Sequence, residues 1–180
     1  MEHPTSHLRG KQRGVRGSSV ARQKACLDEI ERDTKEFLYS PEEPDISVVE
    51  EWHALEKNDK KQLRQKGVSW LTLSGEKMAG EGEKAADAVF IFANCRLVVF
   101  VTEVSGRGKR FVDALEQVRS TVDKLKEKGL LGQDDDFVPV VVGASGKRPS
   151  RDRLKICGKP VFCRSHSQTI GKRVRELFEV

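Results

Sequence analysis

Two carboxylates stand inside apolar runs of one segment, GEKAADAVFIFANCRLVVFVTEVSGRGKRFVDALEQVR, between Gly82 and Arg119. They are Asp87 and Glu103, and charge at a strand position is costly unless something compensates it. A turn at Asn94-Cys95-Arg96 pairs Ala93 with Leu97, and on that register Asp87 lies directly opposite Glu103. Cross-strand partners carry their Cβ atoms ~4.5–5.5 Å apart on one face. Three arrangements would relieve the repulsion: a divalent cation held by both acids, a shared proton, or neutralisation by Lys84, Arg107 or Lys109.

The neighbouring loops suit the first arrangement. The apolar run 97–104 leads into Ser105-Gly106-Arg107-Gly108-Lys109, and the run 137–143 into Ser145-Gly146-Lys147-Arg148. A helix between the two runs implies parallel strands joined by a right-handed crossover, which puts both loops on one sheet edge. Glycines let the backbone approach a phosphate, and the cations neutralise it. A carboxylate pair beside such a lip is the equipment of metal-assisted phosphodiester cleavage. Neither loop has the Walker A spacing, which argues against a P-loop nucleotidase.

Several elements must hold these residues in place. Cys26, Leu27, Ile30, Phe37 and Leu38 predict a helix over 19–38, ended by YSPEEP. A second, largely solvated helix is expected over 47–66 with Gly67 as its stop, then a strand over 68–73 and a mobile Gly- and Glu-rich connection over 74–84. Phe111, Leu115, Val118, Val122 and Leu125 form one stripe of a helix over 110–128. FVPVVVG at 137–143 reads as a strand buried on both faces, with Pro139 tolerable near its start or on an unpaired side. A short strand near 160–164 and a closing helix carrying Ile170, Val174 and Leu177 complete an α/β fold with a mixed sheet flanked by helices. Residues 1–18 read as a flexible basic arm, and 19–180 as one domain.

Composition bounds the partners. At 180 residues, 37% hydrophobic and 34% charged, the chain fits a globular domain with a modest core. It has no apolar run of membrane-spanning length and no signal-peptide core, which leads to an expectation of no membrane and a cytoplasmic or, in a eukaryote or virus, nuclear setting. Cys26, Cys95, Cys157 and Cys163 read as thiols, since Cys157, Cys163 and His166 lack the paired C-x2-C knuckle of structural zinc sites. The pI is 9.1, and the cations cluster: Arg9, Lys11, Arg13 and Arg16 in the arm, and Lys147 to Arg173 against Asp152 alone. Such clusters favour a polyanion, most simply DNA or RNA. A homo-oligomer or a protein partner stays open. Trp52, Trp70 and Phe92 read as core or partner contacts.

The stretch from Asp87 to about Gln117 resembles the core of the PD-(D/E)xK nuclease superfamily, the restriction-endonuclease-like fold. That family carries an Asp at the start of one hairpin strand and Glu-x-Lys at the end of the next. Asp87 matches the first acid and Glu103, in VVFVTEVSG, the second. Gln117 in DALEQVRST matches the glutamine of a Gln-x-x-x-Tyr motif, with Thr121 at the tyrosine position. By helical angle Gln117 also fits an ordinary boundary residue beside Ala114. The resemblance implies Mg²⁺ or Mn²⁺ held by Asp87, Glu103 and the Val104 carbonyl, with Glu29 of the opening helix as a further ligand. It implies catalytic roles for Asp87, Glu103, Ser105, Lys109 and Gln117, and nucleic-acid contacts from Arg107, Lys109, Lys147, Arg148, Arg151 and Arg153. One departure matters: Ser105 occupies the lysine position and has no charge with which to position water or stabilise a transition state. Lys109 or Arg107 would have to reach back. The expected function is a metal-dependent nuclease; the alternative is a nuclease-fold protein that binds nucleic acid or serves as an assembly subunit without cutting.

Overall fold

The computed structural model describes residues 27–39, 57–94, 97–104, 110–132, 136–143, 154–164 and 171–179. Helical residues 27–33 (α1) stop short of the expected Leu38. The Thr34 N–H makes the last helical bond to the Ile30 carbonyl at 2.9 Å, and the Thr34 hydroxyl shares that acceptor at 2.6 Å, a back-bond that weakens the helix at this point. A 3₁₀ turn at Lys35–Phe37 follows, and Leu38 then bridges to Leu73. Of the expected 47–66 helix, the described part is Lys57–Gln65 (α2), closed at Gly67 with φ 71°.

Ser69–Ser74 forms β1. The connection expected to be mobile instead begins with a single helical turn, Gly75–Met78 (α3), capped by the Ser74 hydroxyl and burying Met78. Ala88–Ala93 (β2) and Leu97–Val104 (β3) form the hairpin, and Phe111–Glu127 (α4) crosses to Phe137–Val142 (β4). Lys155–Ile156 (β5) and Lys159–Pro160 (β6) make a small hairpin that the sequence reading did not anticipate. It turns at Cys157 and Gly158, both with positive φ (47° and 78°), as a tight two-residue turn requires. Phe162–Arg164 (β7) and Gly171–Phe178 (α5) end the described chain.

The main sheet runs β1-β2-β3-β4-β7, antiparallel through β3 and parallel thereafter. The fold is therefore α/β, with a five-stranded mixed sheet between helices. Val89, Ile91, Val99 and Val101 face α1 and the full predicted stripe of α4. Phe90, Phe92, Phe100, Val140 and Val142 face α2 and α5 through Leu63, Val174 and Phe178. Pro139 sits in a central strand without breaking the ladder. The Asp136 carbonyl accepts from Val99 N–H, so even-numbered residues of β4 address β3 and Pro139 faces the other side. There β7 pairs only from Val140 onward. No helix among the described residues is long and apolar enough to cross a membrane.

Candidate functional site

The hairpin keeps the expected register, from Ala93 opposite Leu97 to Ala88 opposite Thr102. One step further, Asp87 and Glu103 face each other and take over the backbone donors. Asp87 N–H donates to Glu103 Oε2 at 3.2 Å, and Val104 N–H donates to Asp87 Oδ2 at 2.7 Å. Each carboxylate is thus held by a backbone N–H from the other's strand. Bonds from N–H groups to ionised oxygens are the stronger class of hydrogen bond and offset part of the cost of burying charge. Glu103 is fully buried and Asp87 half-buried, so a ligand would approach from the Asp87 side.

The backbone leading to Asp87 is pinned from three directions. Gln117 Nε2 donates to the Ala85 carbonyl at 2.9 Å, and Ala86 N–H donates to Thr121 Oγ1 at 2.8 Å. Residues four apart share a helix face, so one turn of α4 grips both polar ends of a single peptide group, the one joining Ala85 to Ala86. The Asp87 carbonyl accepts from the Tyr39 hydroxyl at 2.8 Å and from Gly75 N–H at 3.3 Å. Gly75 permits this approach because it has no side chain: a Cβ there would stand 1.7 Å from the Ala86 carbonyl oxygen.

Gln117 therefore acts on Asp87 through the backbone, as a positioning residue. Its Oε1 is buried and accepts no hydrogen bond within the structure. Sequence reasoning missed Gly75 and Tyr39 and saw Thr121 only as a departure from the family pattern. The four-residue spacing of Gln117 and Thr121 was a usable signal for the clamp; nothing local marked Tyr39.

Other expected site residues fall elsewhere. Glu29 lines an open cavity with Phe37, Leu97 and Lys128. Leu97 begins β3 and Glu103 is near its end, ~20 Å along the strand at ~3.3 Å per residue, so Glu29 is not brought to the pair. Lys84, a candidate neutraliser, donates to Glu116 Oε2 at 2.6 Å on the surface. Ser105, Arg107, Lys109, Lys147, Arg148, Arg151 and Arg153 lie outside the described residues, as do Trp52, His166, Cys26 and Cys95.

Around α4 some of the charges are paired. Glu83 accepts from Gly80 N–H and pairs with Lys124 at 2.9 Å. The Gly80 hydrogen bond, then Lys124, holds its carboxyl below the ordinary glutamate range, and Glu83 in turn holds Lys124 above the usual lysine range. Asp113 similarly raises Arg110.

The donor set for a cation would be two carboxylates and a backbone carbonyl. In extended backbone a residue's C=O points to the same side as its N–H, and Val104 N–H points at Asp87. These hard oxygens suit Mg²⁺ or Mn²⁺, whose other positions are ordinarily water and substrate phosphate. No group of three or more metal-ligating side chains occurs among the described residues. In comparisons with known proteins, no family model, curated protein or solved structure matches the chain.

Proposed function

We propose that this protein is a metal-dependent nuclease on a restriction-endonuclease-like scaffold, acting on the phosphodiester bonds of DNA or RNA. The reciprocal carboxylate lock between Asp87 and Glu103 carries the reading. Two buried or half-buried acids set side by side, on a backbone gripped by α3, α4 and Tyr39, suit a site that must not shift. The position at the C-terminal end of a strand parallel to β4 supports it too, since ligands of such sheets bind at that edge. So does the order of hairpin, helix and parallel strand that the resemblance implies.

Asp87, Glu103 and the Val104 carbonyl would hold Mg²⁺ or Mn²⁺, which when bound supplies Lewis-acid charge and a more acidic water. Gln117 and Thr121 keep the Ala85–Ala86 peptide from moving, so the acid that follows meets its ligand with little reorganisation. Lys109 or Ser105 would orient the attacking water, and the basic loops would hold the substrate backbone. That substrate implies a cytoplasmic or nuclear setting.

A second reading has its own support: Ser105 replaces the family lysine, and Glu103 is buried and tied to Asp87 N–H. On it, the same scaffold binds nucleic acid without cutting. Incubation with Mn²⁺ and single- and double-stranded DNA and RNA separates the two. A nuclease cuts at least one substrate, and Asp87→Ala abolishes cutting while its melting stays cooperative. Binding without turnover on all four would leave the second reading.

A further inference from the structure

The two helical layers differ in charge. Residues 57–66, around α2, carry five Lys or Arg and only Asp59, whereas residues 27–37 on the opposite layer carry five Asp or Glu against Arg32 and Lys35. Asp59 does nothing to balance the outer surface. It is 6% exposed and turned inward, with Arg175 Nε of α5 at 3.0 Å from its Oδ1. Outside, Lys61, Arg64 and Lys66 are exposed and form no ion pair among the described residues. On the other layer Lys84, Arg110 and Lys124 each have a carboxylate, while Arg119 and Lys126 form no ion pair among the described residues.

A second feature lies on the same ridge. The Arg64 guanidinium sits over the ring of half-buried Trp70 at 5.1 Å, which lays the cation along the surface. The Asn94 side chain donates to the Lys66 carbonyl at 3.0 Å and ties the end of α2 to the end of β2. Lys61 and Arg64, three residues apart, share a face of α2, Lys66 follows at its braced end, and Arg64 stacks on Trp70. Nucleic acids are bound by this combination: cations for the backbone and planar groups on which a base can stack.

We propose that Lys61, Arg64 and Lys66, with Trp70 beneath Arg64, form a second contact surface for a nucleic-acid strand, away from the carboxylate pair. The proposal rests on the reading that this protein engages nucleic acid. The ridge is remote from the carboxylates. Trp70 pairs with Phe92, ~17 Å along β2 from Asp87, and α2 packs on the other face of the sheet. It can therefore touch only a polymer that extends several nucleotides beyond the site. Short oligonucleotides should not feel it.

The test is fluorescence anisotropy of the full chain with labelled single strands of about 20 and about 4 nucleotides across a salt series. A Lys61→Glu/Arg64→Glu/Lys66→Glu variant is compared with Lys35→Glu on the acidic layer, and thermal melting checks that each is folded. For the long strand the triple variant should bind at least about tenfold more weakly, with the slope of log affinity against log salt reduced by about 2, because each lost phosphate contact removes ~0.7. Lys35→Glu and the short strand should be unaffected. A Lys61→Gln/Arg64→Gln/Lys66→Gln variant should show the same slope change and serves if the reversal does not fold. Unchanged affinity and slope for the long strand would overturn the ridge while leaving Asp87-dependent cutting intact. Wild-type binding that ignores salt would remove the nucleic-acid reading itself. Weakened binding to phosphatidylserine vesicles, with oligonucleotide binding unaltered, would reassign the ridge to anionic lipid and overturn the proposal.

Discussion

Thr102 and Glu103 are neighbours on β3, both fully buried, yet they meet opposite treatment. Glu103 faces the α4 layer and is met by a backbone N–H. Thr102 faces the α2 and α5 layer among Ala88, Val140 and Phe100, and its hydroxyl has no hydrogen-bond partner within the structure. The α4 layer spends its polar groups on the carboxylate corner. The other layer is an aromatic core, with Phe92 and Phe100 edge to face at 5.5 Å, and at its margin Asp59 turns inward against Arg175. Along β3 itself, the polar partners lie on the side where two acids are held.

Four substitutions would break or sharpen that contrast. The largest effect is expected at Gly75. In Gly75→Ala the new Cβ meets the Ala86 carbonyl 1.7 Å away, and both sides of the clash are backbone that cannot swing aside. Urea unfolding should show a loss of about 3 kcal/mol or more. A loss under about 1 kcal/mol would mean the corner is loosely held and the contrast overstated.

Thr121→Val comes next. The shape is kept, but the acceptor for the buried Ala86 N–H is lost, at a cost of about 1–3 kcal/mol. Thr121→Ser should recover most of it. If the clamp serves a cation site, calorimetry should also show weaker Mn²⁺ binding in the valine variant, and recovery in the serine variant.

On the other face the sign reverses. Thr102→Val removes a buried hydroxyl that makes no hydrogen bond, so stability should rise by about 1 kcal/mol. Destabilisation would show that this hydroxyl is satisfied after all.

The smallest effect concerns Glu83. Its carboxyl lies below the ordinary range because its partners favour the ionised form, so the contact with Lys124 is complete at neutral pH and is lost only as acid carries the pH below that range. An NMR titration should find the Glu83 midpoint depressed, and Lys124→Ala should move it upward. The group is exposed, so no change in melting is expected.

How much of this was legible depends on the range of the interactions. The hairpin register was, because a turn at Asn94-Cys95-Arg96 fixes the pairing of the two apolar runs that flank it. The α4 stripe was legible for the same kind of reason, and Phe111, Leu115, Val118, Val122 and Leu125 are all buried. Local competition was harder to see. The α1 helix gives way at Thr34, whose hydroxyl bonds back to Ile30, and the Ser74 cap makes a helical turn where composition suggested a mobile loop. The Glu29 expectation failed on distance: resemblance carried the residue over, but the packing of α1 against the Leu97 end of β3 put it far from the pair.

The sequence by itself determined that Asp87 would face Glu103, since strand parity and turn length are local properties of the chain. Only the tertiary structure decided how the pair is held. Gln117, Thr121 and Tyr39 lie 32, 35 and 48 residues from the groups they bond, and such bonds exist only once helices and sheet have packed. The charge contrast between the layers has the same origin: the residues were visible along the chain, but which of them share a face, and which acid is turned inward, is a consequence of packing.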